Sequence, residues 1–270
     1  KVGHVEAGLR TFDKYFPYPE EINRRLTGVL ADVHFAPTIS NKKNLLDENV
    51  DESTIFVTGN TVIDALGTTV KDDYLFESQV LRDMDYENKK VLLVTAHRRE
   101  NLGAPLYDIC ESLKNLVNTY PDVEIIYPVH LNPVVQETAK DVLGAMDRVH
   151  LIEPLNVQEL HNVMKRCYMV LTDSGGLQEE APSLGKPVLV LRNETERPEA
   201  VQAGTVKIAG VEKERIFRMA SELIEDAKQY EKMARAVNPY GDGRASYRIV
   251  QAILYYFGII DYRIEDYGNI

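Results

Sequence analysis

Two stretches of the sequence carry the residue types that bind anions, and each follows an apolar run. Val91–Val94 leads into Thr95-Ala96-His97-Arg98-Arg99-Glu100-Asn101, and Tyr168–Leu171 leads into Thr172-Asp173-Ser174-Gly175-Gly176. Histidine and arginine supply cationic donors, and glycines before a helix let backbone N–H groups approach a phosphate. Ligands gather at the carboxyl ends of parallel strands, so both stretches are candidate anion sites. Glu180, about one helical turn beyond the glycines, could accept hydrogen bonds from ribose hydroxyls.

Each candidate site also has a purely structural interpretation. Asp173 or Ser174 could cap the following helix, with the two glycines forming an ordinary turn. Arg98 and Arg99 could pair with nearby carboxylates, which would leave His97 as a polar strand end. Two anion sites at strand ends of one sheet favour a functional interpretation.

The N-terminal region supplies carboxylates. Glu6 lies beside His4 at what the pattern indicates is the end of a strand, and Glu20 and Glu21 open a helix. Acids in a first helical turn interact favourably with the helix dipole, which is a structural alternative for Glu20 and Glu21. A basic cluster from Arg192 to Arg197 follows another predicted strand and could reach the same cleft.

The elements that position these residues alternate between strand and helix. Apolar runs separated by amphipathic stretches predict a doubly wound α/β domain with a parallel sheet covered on both faces. Leu106, Ile109, Leu113 and Leu116 recur at helical spacing between the first two strands of this domain. The predicted strands are 91–94, 124–127, 149–152, 168–171, 188–191 and 206–208, with 33–35 and 54–57 before them. The other predicted helices are 20–31, 40–47, 133–143, 157–166, 176–183, 212–229 and 245–257.

The pattern before residue 60 is incomplete, because the sequence opens on what looks like the last part of a strand. We therefore expect the sequence to be a fragment, or a chain that lost an N-terminal half. We predict that residues 1–57 are the C-terminal part of an N-terminal domain and that residues 58–242 form a second domain. Residues 243–270 would form a closing helix and tail that could pack on the first domain.

Composition excludes several classes of protein. Among 270 residues, 31 Lys and Arg against 42 Asp and Glu give a net charge of −11, which argues against wrapping nucleic acid or lying on an anionic membrane. No apolar run approaches the roughly 20 residues of a membrane-spanning helix. Two cysteines, Cys110 and Cys167, favour a reducing cytoplasm. The sequence lacks G-x-G-x-x-G after a strand, the P-loop, H-E-x-x-H, paired C-x-x-C and G-x-S-x-G, so we expect no NAD, no Walker-type ATP site and no structural zinc.

Motifs in order along the chain resemble those of non-hydrolysing UDP-N-acetylglucosamine 2-epimerases. The resemblance covers essentially the whole chain and rests on His4–Thr11, Pro19–Arg24, Val57–Asp64, His97–Asn101, Asp173–Pro182, Gly185–Arg192, Thr195–Ala200 and Asn238–Gly243. It implies two Rossmann-like domains of glycosyltransferase-B type with the active site between them, the N-terminal one incomplete here. It also implies an isomerase that interconverts UDP-GlcNAc and UDP-ManNAc without nicotinamide or a required metal, and a homodimer.

The resemblance assigns the chemistry to particular residues. It implies elimination of UDP to give 2-acetamidoglucal, then re-addition of UDP to the other face. Glu6 and Glu20 would be catalytic carboxylates, supported by Arg24. His97 would act on the diphosphate or as an acid.

The resemblance also implies the substrate contacts. Arg98 would contact the substrate, Arg197 would bind the sugar or phosphate, and Glu180 would bind the ribose. Ser174, Gly175 and Gly176 would hold phosphate. Leu155 and Leu160 would line the uracil slot, where this sequence departs from the Gln and Phe of some members. His130 matches a position linked in bacterial relatives to an allosteric substrate molecule.

Other functions share these motifs. The alternatives are a 2-epimerase of a diacetamido uronic acid type of UDP-sugar, a hydrolysing epimerase, a glycosyltransferase of the same architecture, and a truncated, non-catalytic UDP-sugar-binding paralogue. A glycosyltransferase would not need Glu6, Glu20 and His97 together. The family also uses an Arg, a Lys and a G-D-T Asp upstream of the first motif here. We therefore expect residues 1–270 alone to bind UDP weakly and to turn over little or nothing.

Overall fold

The computed structural model describes residues 1–15 and 17–268, and its strands pair in parallel throughout. The chain divides into two compact units, Lys1–Gly67 with Asn238–Ile270 (unit 1) and Thr68–Val237 (unit 2). The strands are β1 Gly3–Val5, β2 Val33–Ala36, β3 Ile55–Val57, β4 Lys90–Thr95, β5 Val123–Pro128, β6 Val149–Ile152, β7 Met169–Thr172, β8 Val188–Val190 and β9 Val206–Ile208. The α-helices are α1 Glu20–Leu30, α2 Ile39–Asp47, α3 Thr61–Thr69, α4 Gln79–Asp83, α5 Ala104–Thr119, α6 Pro133–Leu143, α7 Val157–Arg166, α8 Leu177–Ser183, α9 Pro198–Ala203, α10 Lys213–Glu225, α11 Ala227–Ala234 and α12 Ala245–Tyr256.

Unit 2 contains a six-stranded parallel sheet in the order β6-β5-β4-β7-β8-β9. Its register sets Val94 beside Leu171 and Thr95 beside Thr172. The carboxyl ends of β4 and β7 are therefore neighbours, although 76 residues separate Thr95 from Leu171 in the chain. The two candidate anion sites of the sequence thus lie next to each other at one edge of this sheet.

The core of unit 2 forms where α5 packs beside the sheet. Leu106, Ile109, Leu113 and Leu116 are all fully buried, which confirms the amphipathic helix predicted from their spacing. Burying one such side chain contributes about 1.5–3 kcal/mol relative to leaving it in water. These side chains share one core cluster with Leu92 and Val94 of β4, the strand that leads to His97.

Unit 1 contains a three-stranded parallel sheet in the order β1-β2-β3. Ala252 of α12 is buried in a cluster with Phe35 and Phe56. The carboxylate of Asp64 accepts hydrogen bonds from the backbone N–H groups of Ala245 and Ser246, at 3.0 and 2.7 Å, which satisfies the first turn of α12. The C-terminal helix is thus part of unit 1, and the domain limits predicted at residues 57 and 242 stay predictions.

One predicted helix differs in the structure. The stretch 212–229 is divided into α10 and α11 at Asp226, whose φ and ψ of −106° and 97° are extended. Its carboxylate accepts hydrogen bonds from the N–H groups of Lys228 and Gln229, so Asp226 starts a new helix instead of continuing the first. The sequence prediction also missed α3, α4 and α9, which are short or lie in the connections.

Gly8 follows the first strand in a conformation that only glycine fits. Its φ is +89°, and a Cβ atom there would lie 2.2 Å from the backbone oxygen of Asn41. We expect Gly8→Ala to lower the free energy of unfolding by about 3 kcal/mol or more, because strain and a backbone clash add together. Gly103→Ala is the matched control, since Gly103 has a φ of +83° with no atom within 4 Å of a Cβ. Urea denaturation that gave equal losses for both variants would contradict the clash.

Candidate functional site

Asp173, at the carboxyl end of β7, organises the loop that follows β4. Its buried carboxylate accepts three hydrogen bonds at Oδ2, from the backbone N–H of His97 at 2.7 Å, the backbone N–H of Arg98 at 2.8 Å and Nδ2 of Asn101 at 3.0 Å. Helix α8 instead begins after Gly176, with no side-chain cap. The interpretation of Asp173 or Ser174 as a helix cap is therefore wrong, because this carboxylate ties two strand ends together.

His97 lies on that loop with its side chain 38% exposed. Its ring stacks on His130, with centroids 5.1 Å apart and planes 6° from parallel. Nδ1 of His97 lies 3.6 Å from Oδ1 of Asp173, which is too far for a hydrogen bond. Nδ1 of His130 accepts a hydrogen bond from the N–H of Asn132 at 3.1 Å. The structure thus brings together the predicted catalytic histidine and the predicted allosteric position.

The glycine loop after β7 is held by its own side chains. Thr172 Oγ1 accepts a hydrogen bond from the N–H of Ser174 at 2.9 Å, and Gln178 Nε2 donates to the Ser174 carbonyl at 3.1 Å. A Cβ atom on Gly175 would lie 2.9 Å from Oε1 of Glu196. Because Gly175 has no side chain, the carboxylate of Glu196 can lie against the loop. This packing accounts for the glycine without any ligand.

Glu196 lies close to this loop and among three arginines. Its carboxylate is 2.7 Å from Nη1 of Arg192, 3.8 Å from Nη1 of Arg197 and 3.9 Å from Nη2 of Arg98. Burial raises the pKa of the Glu196 carboxyl, but the charges of Arg192 and Arg197 outweigh burial and hold the pKa below its usual value. The site therefore presents a buried ion network, in which Arg197 also pairs with Glu179.

The remaining predicted substrate-binding residues of unit 2 are less buried than Glu196 and Arg197. Glu180, in α8, has its Oε2 3.7 Å from Nε2 of His161, whose Nδ1 lies 2.7 Å from Oγ1 of Thr69. Leu155 lies in the loop between β6 and α7, and Leu160 lies in α7; both are half-buried. All of these positions follow carboxyl ends of strands in one parallel sheet. Their roles as substrate contacts stay predictions.

In unit 1 the two adjacent acids of α1 have different environments. Glu21 is fully buried, and its carboxylate accepts hydrogen bonds from the N–H groups of Thr11 and Phe12, both at 3.2 Å. Arg24 Nη1 lies 3.7 Å from the Glu21 carboxylate. Glu20, in contrast, is exposed at the start of the helix. Glu21 therefore shapes the loop before the helix, and Glu20 is the carboxylate open to a ligand.

Glu6 follows β1 with a positive φ of 63°, which is uncommon for a residue with a side chain. Its Oε1 accepts a hydrogen bond from Nδ2 of Asn60 at 3.1 Å. Asn60 in turn donates its backbone N–H to the Tyr240 carbonyl at 2.6 Å. The backbone conformation and the amide of Asn60 together orient the carboxylate of Glu6.

His4 gives unit 1 a pH dependence. Burial, together with His34 and Arg10, lowers the pKa of His4 from its ordinary value of 6.5 to about 4. Between these values the unfolded chain takes up a proton that the folded chain does not, so stability is lost as the pH falls from 6.5 towards 4. We expect the free energy of unfolding to fall by about 1–2 kcal/mol over this range, a figure that already allows for the partial exposure of the ring. Chemical denaturation against pH should show a smaller slope for His4→Gln, with a remainder from His34, whose pKa burial also lowers.

Two residues that hold the candidate site together were missed from the sequence. Asn101 donates through Nδ2 both to Asp173 and to the Leu191 carbonyl, at 3.0 Å each, and so joins three strand ends. Glu196 was included only within a basic cluster, and its role depends on contacts that the sequence does not show. The sequence signal available for Asn101 was an amide side chain seven residues after the end of the predicted strand 91–94.

The described residues contain neither a candidate metal cluster nor a helix fit to span a membrane. Within 1–15 and 17–268, no group of three or more His, Cys, Asp and Glu side chains could hold a metal ion. Over the same residues, no helix combines the length and the apolar character needed to cross a membrane.

Comparison with known proteins assigns the family. The family model for UDP-N-acetylglucosamine 2-epimerase matches residues 1–254. A UDP-N-acetylglucosamine 2-epimerase of Bacillus subtilis is 57% identical over 257 residues, which are 95% of this chain and 67% of that protein. The chain belongs to the UDP-N-acetylglucosamine 2-epimerase family. The resemblance drawn from the motifs, to the non-hydrolysing members of this family, is confirmed.

Solved structures of UDP-N-acetylglucosamine 2-epimerase relatives support the same fold. An S. aureus MnaA structure with UDP is 52% identical, with a TM-score of 0.94 over 99% of this chain and 72% of that chain. A Neisseria meningitidis UDP-GlcNAc 2-epimerase bound to UDP-GlcNAc is 49% identical, with a TM-score of 0.88 over 94% of this chain and 69% of that chain. The predicted fold class, Rossmann-like α/β of glycosyltransferase-B type, is confirmed.

Proposed function

We propose that this protein interconverts UDP-GlcNAc and UDP-ManNAc by changing the configuration at C2. The observation that carries the proposal is the single edge of the sheet at which Asp173 holds His97 and Arg98 beside the Ser174–Gly176 loop. Family membership over residues 1–254 supports it, as do relatives whose structures contain UDP or UDP-GlcNAc.

The proposed reaction is an elimination followed by an addition. A carboxylate takes the proton from C2, the C1–O bond to the diphosphate breaks, and the electron pair of the C2–H bond forms the C1=C2 double bond of 2-acetamidoglucal. UDP leaves with the electrons of the C1–O bond. Its return to C1, with a proton delivered to the opposite face of C2, completes the epimerisation. Differential stabilisation of the departing anion is where cationic donors lower the barrier.

Each proposed role fits the environment of its residue. Exposed Glu20 and Asn60-oriented Glu6 are the two carboxylates that exchange the C2 proton, one for each face. His97 and Arg98 bind the diphosphate, and His97 supplies a proton to it. Arg24, 3.7 Å from buried Glu21, supports the Glu20 helix.

Substrate binding would use the rest of the sheet edge. The N–H groups of Ser174, Gly175 and Gly176 bind phosphate, and the carboxylate of Glu180 accepts from the ribose. Leu155 and Leu160 pack against the uracil. Arg197 is only 5% exposed beside Glu196, so its charge acts on the phosphate through the glycine loop.

We also propose that the protein is a homodimer in the cytoplasm, as its resemblance to the family implies. Light scattering after gel filtration tests the dimer, which would give twice the mass of one chain. A monomer at micromolar concentration would contradict it.

Proton NMR of the natural full-length protein with UDP-GlcNAc tests the proposed function. We expect signals of UDP-ManNAc to grow to a stable ratio, and the same ratio to be reached from UDP-ManNAc. Stoichiometric accumulation of UDP with free ManNAc would instead identify a hydrolysing enzyme. UDP binding without any new sugar signal would favour the non-catalytic alternative.

A further inference from the structure

We infer that Asp173 is a positioning residue, which fixes the proton of His97 on Nδ1 and so leaves Nε2 as the nitrogen that serves the substrate. Only the consequence for the reaction rests on the proposed function. The position of the proton on His97 is argued from the groups around its ring alone. Asp173 touches no proposed substrate atom; it would act through the imidazole of His97.

The two oxygens of the Asp173 carboxylate have unequal environments. Oδ2 already accepts from three N–H donors of His97, Arg98 and Asn101. Oδ1 is buried and has no hydrogen-bond partner among the described residues. A buried carboxylate oxygen without a donor is costly, so a donor within reach is strongly favoured.

The imidazole of His97 is the group placed to supply that donor. Its Nδ1 lies 3.6 Å from Oδ1, and a ring movement of about 0.7 Å would close this gap to an ordinary N–H···O distance. Catalytic hydrogen bonds are often long in unliganded enzymes and tighten when substrate binds. Because Oδ1 can only accept, the contact requires the proton on Nδ1.

Two other residues near the imidazole of His97 are His130 and Arg98. His130 stacks on the ring, and its Nδ1 accepts the Asn132 N–H, so neutral His130 carries its proton on Nε2. Arg98 turns its Nε towards the Asp173 carbonyl at 3.3 Å. Among these neighbours, Asp173 is the carboxylate that can stabilise a protonated His97.

The consequence for the reaction concerns one proton. With Nδ1–H held by Asp173, protonated His97 presents Nε2–H to a diphosphate oxygen. That proton passes to the oxygen as the C1–O bond breaks and returns to Nε2 when the bond forms again. No oxidant or further reactant is needed. The opposite tautomer would place a lone pair on Nδ1 towards a carboxylate and weaken both contacts.

The test reads the tautomer and the kinetics together. Nitrogen-15 chemical shifts of His97, measured at a pH where the titration of the same signals shows a neutral ring, should identify Nδ1 as the protonated nitrogen. In Asp173→Asn, the amide oxygen can still accept the three N–H groups while its NH₂ donates to Nδ1, so the tautomer should invert. We expect kcat to fall by at least 10²-fold with the Kd of UDP changed less than about twofold.

Asn101→Ser is the matched control, because it removes a donor to Oδ2 and leaves Oδ1 beside His97. It should lower stability but keep the wild-type tautomer. A wild-type spectrum with the proton on Nε2 would overturn the inference, even if Asp173→Asn failed to fold. An Asp173→Asn protein with unchanged tautomer or unchanged kcat would also overturn it. Absence of epimerase activity in the wild type would instead count against the proposed function. The tautomer of His97 could still be measured in that case.

Discussion

Glu6→Gln and Glu20→Gln should each lower kcat for epimerisation by about 10³-fold, because each removes a group that exchanges the C2 proton. Glutamine keeps the size of the side chain and, at position 6, can still accept from Nδ2 of Asn60. We therefore expect UDP to bind both variants with nearly wild-type affinity, measured by isothermal titration calorimetry.

The two variants should also differ from each other. If the carboxylates serve opposite faces of C2, one variant loses proton exchange from UDP-GlcNAc first and the other loses it from UDP-ManNAc. Glu21→Gln is the control, since buried Glu21 accepts two backbone N–H groups and should affect stability more than chemistry. A Glu20 variant that kept full activity while the Glu21 variant lost it would reverse the assignment.

Glu196→Ala should lower the free energy of unfolding of unit 2 by about 3 kcal/mol. The side chains of Arg192 and Arg197 are only 1% and 6% exposed, so removal of the carboxylate leaves buried positive charge poorly compensated. Glu100 and Glu179 still pair with these arginines, which keeps the loss near the lower end of the range for broken buried pairs. Urea denaturation measures the effect.

Exposed Glu194, two residues earlier, provides the control for this prediction. Glu194→Ala should change stability by less than about 0.5 kcal/mol, as is usual for a surface site. The Glu196 variant should also weaken UDP binding, because its carboxylate lies beside Gly175 and its partners support the loop. A loss below about 1 kcal/mol for Glu196→Ala would contradict the buried network.

The elements of the fold could be predicted where local signals are strong. Helices α6 and α7 begin and end at the residues expected, and the side chains of Asn132 and Asn156 cap their N-termini. The predicted break-free helix at 212–229 was wrong because Asp226 satisfies two N–H groups and starts a second helix. The spacing of apolar residues does not show that a side chain such as that of Asp226 can start a new helix.

The candidate site could be predicted only as a set of separate positions. The sequence indicated His97 and the Asp173 loop independently, but their proximity depends on the strand order, in which β7 lies next to β4 instead of β6. The same order brings Leu191 within reach of Asn101. The contact of Glu196 with Gly175 depends on loop geometry as well. These are tertiary relations, and no local pattern of residue types encodes them.

The most direct test of the proposed epimerisation is proton NMR of UDP-GlcNAc in heavy water with the natural full-length protein. The carboxylates that remove and return the C2 proton exchange it with solvent. We therefore expect deuterium at C2 of UDP-ManNAc, and later at C2 of UDP-GlcNAc as well. UDP-ManNAc that formed with its C2 proton retained, or deuterium that never appeared in either sugar, would contradict it.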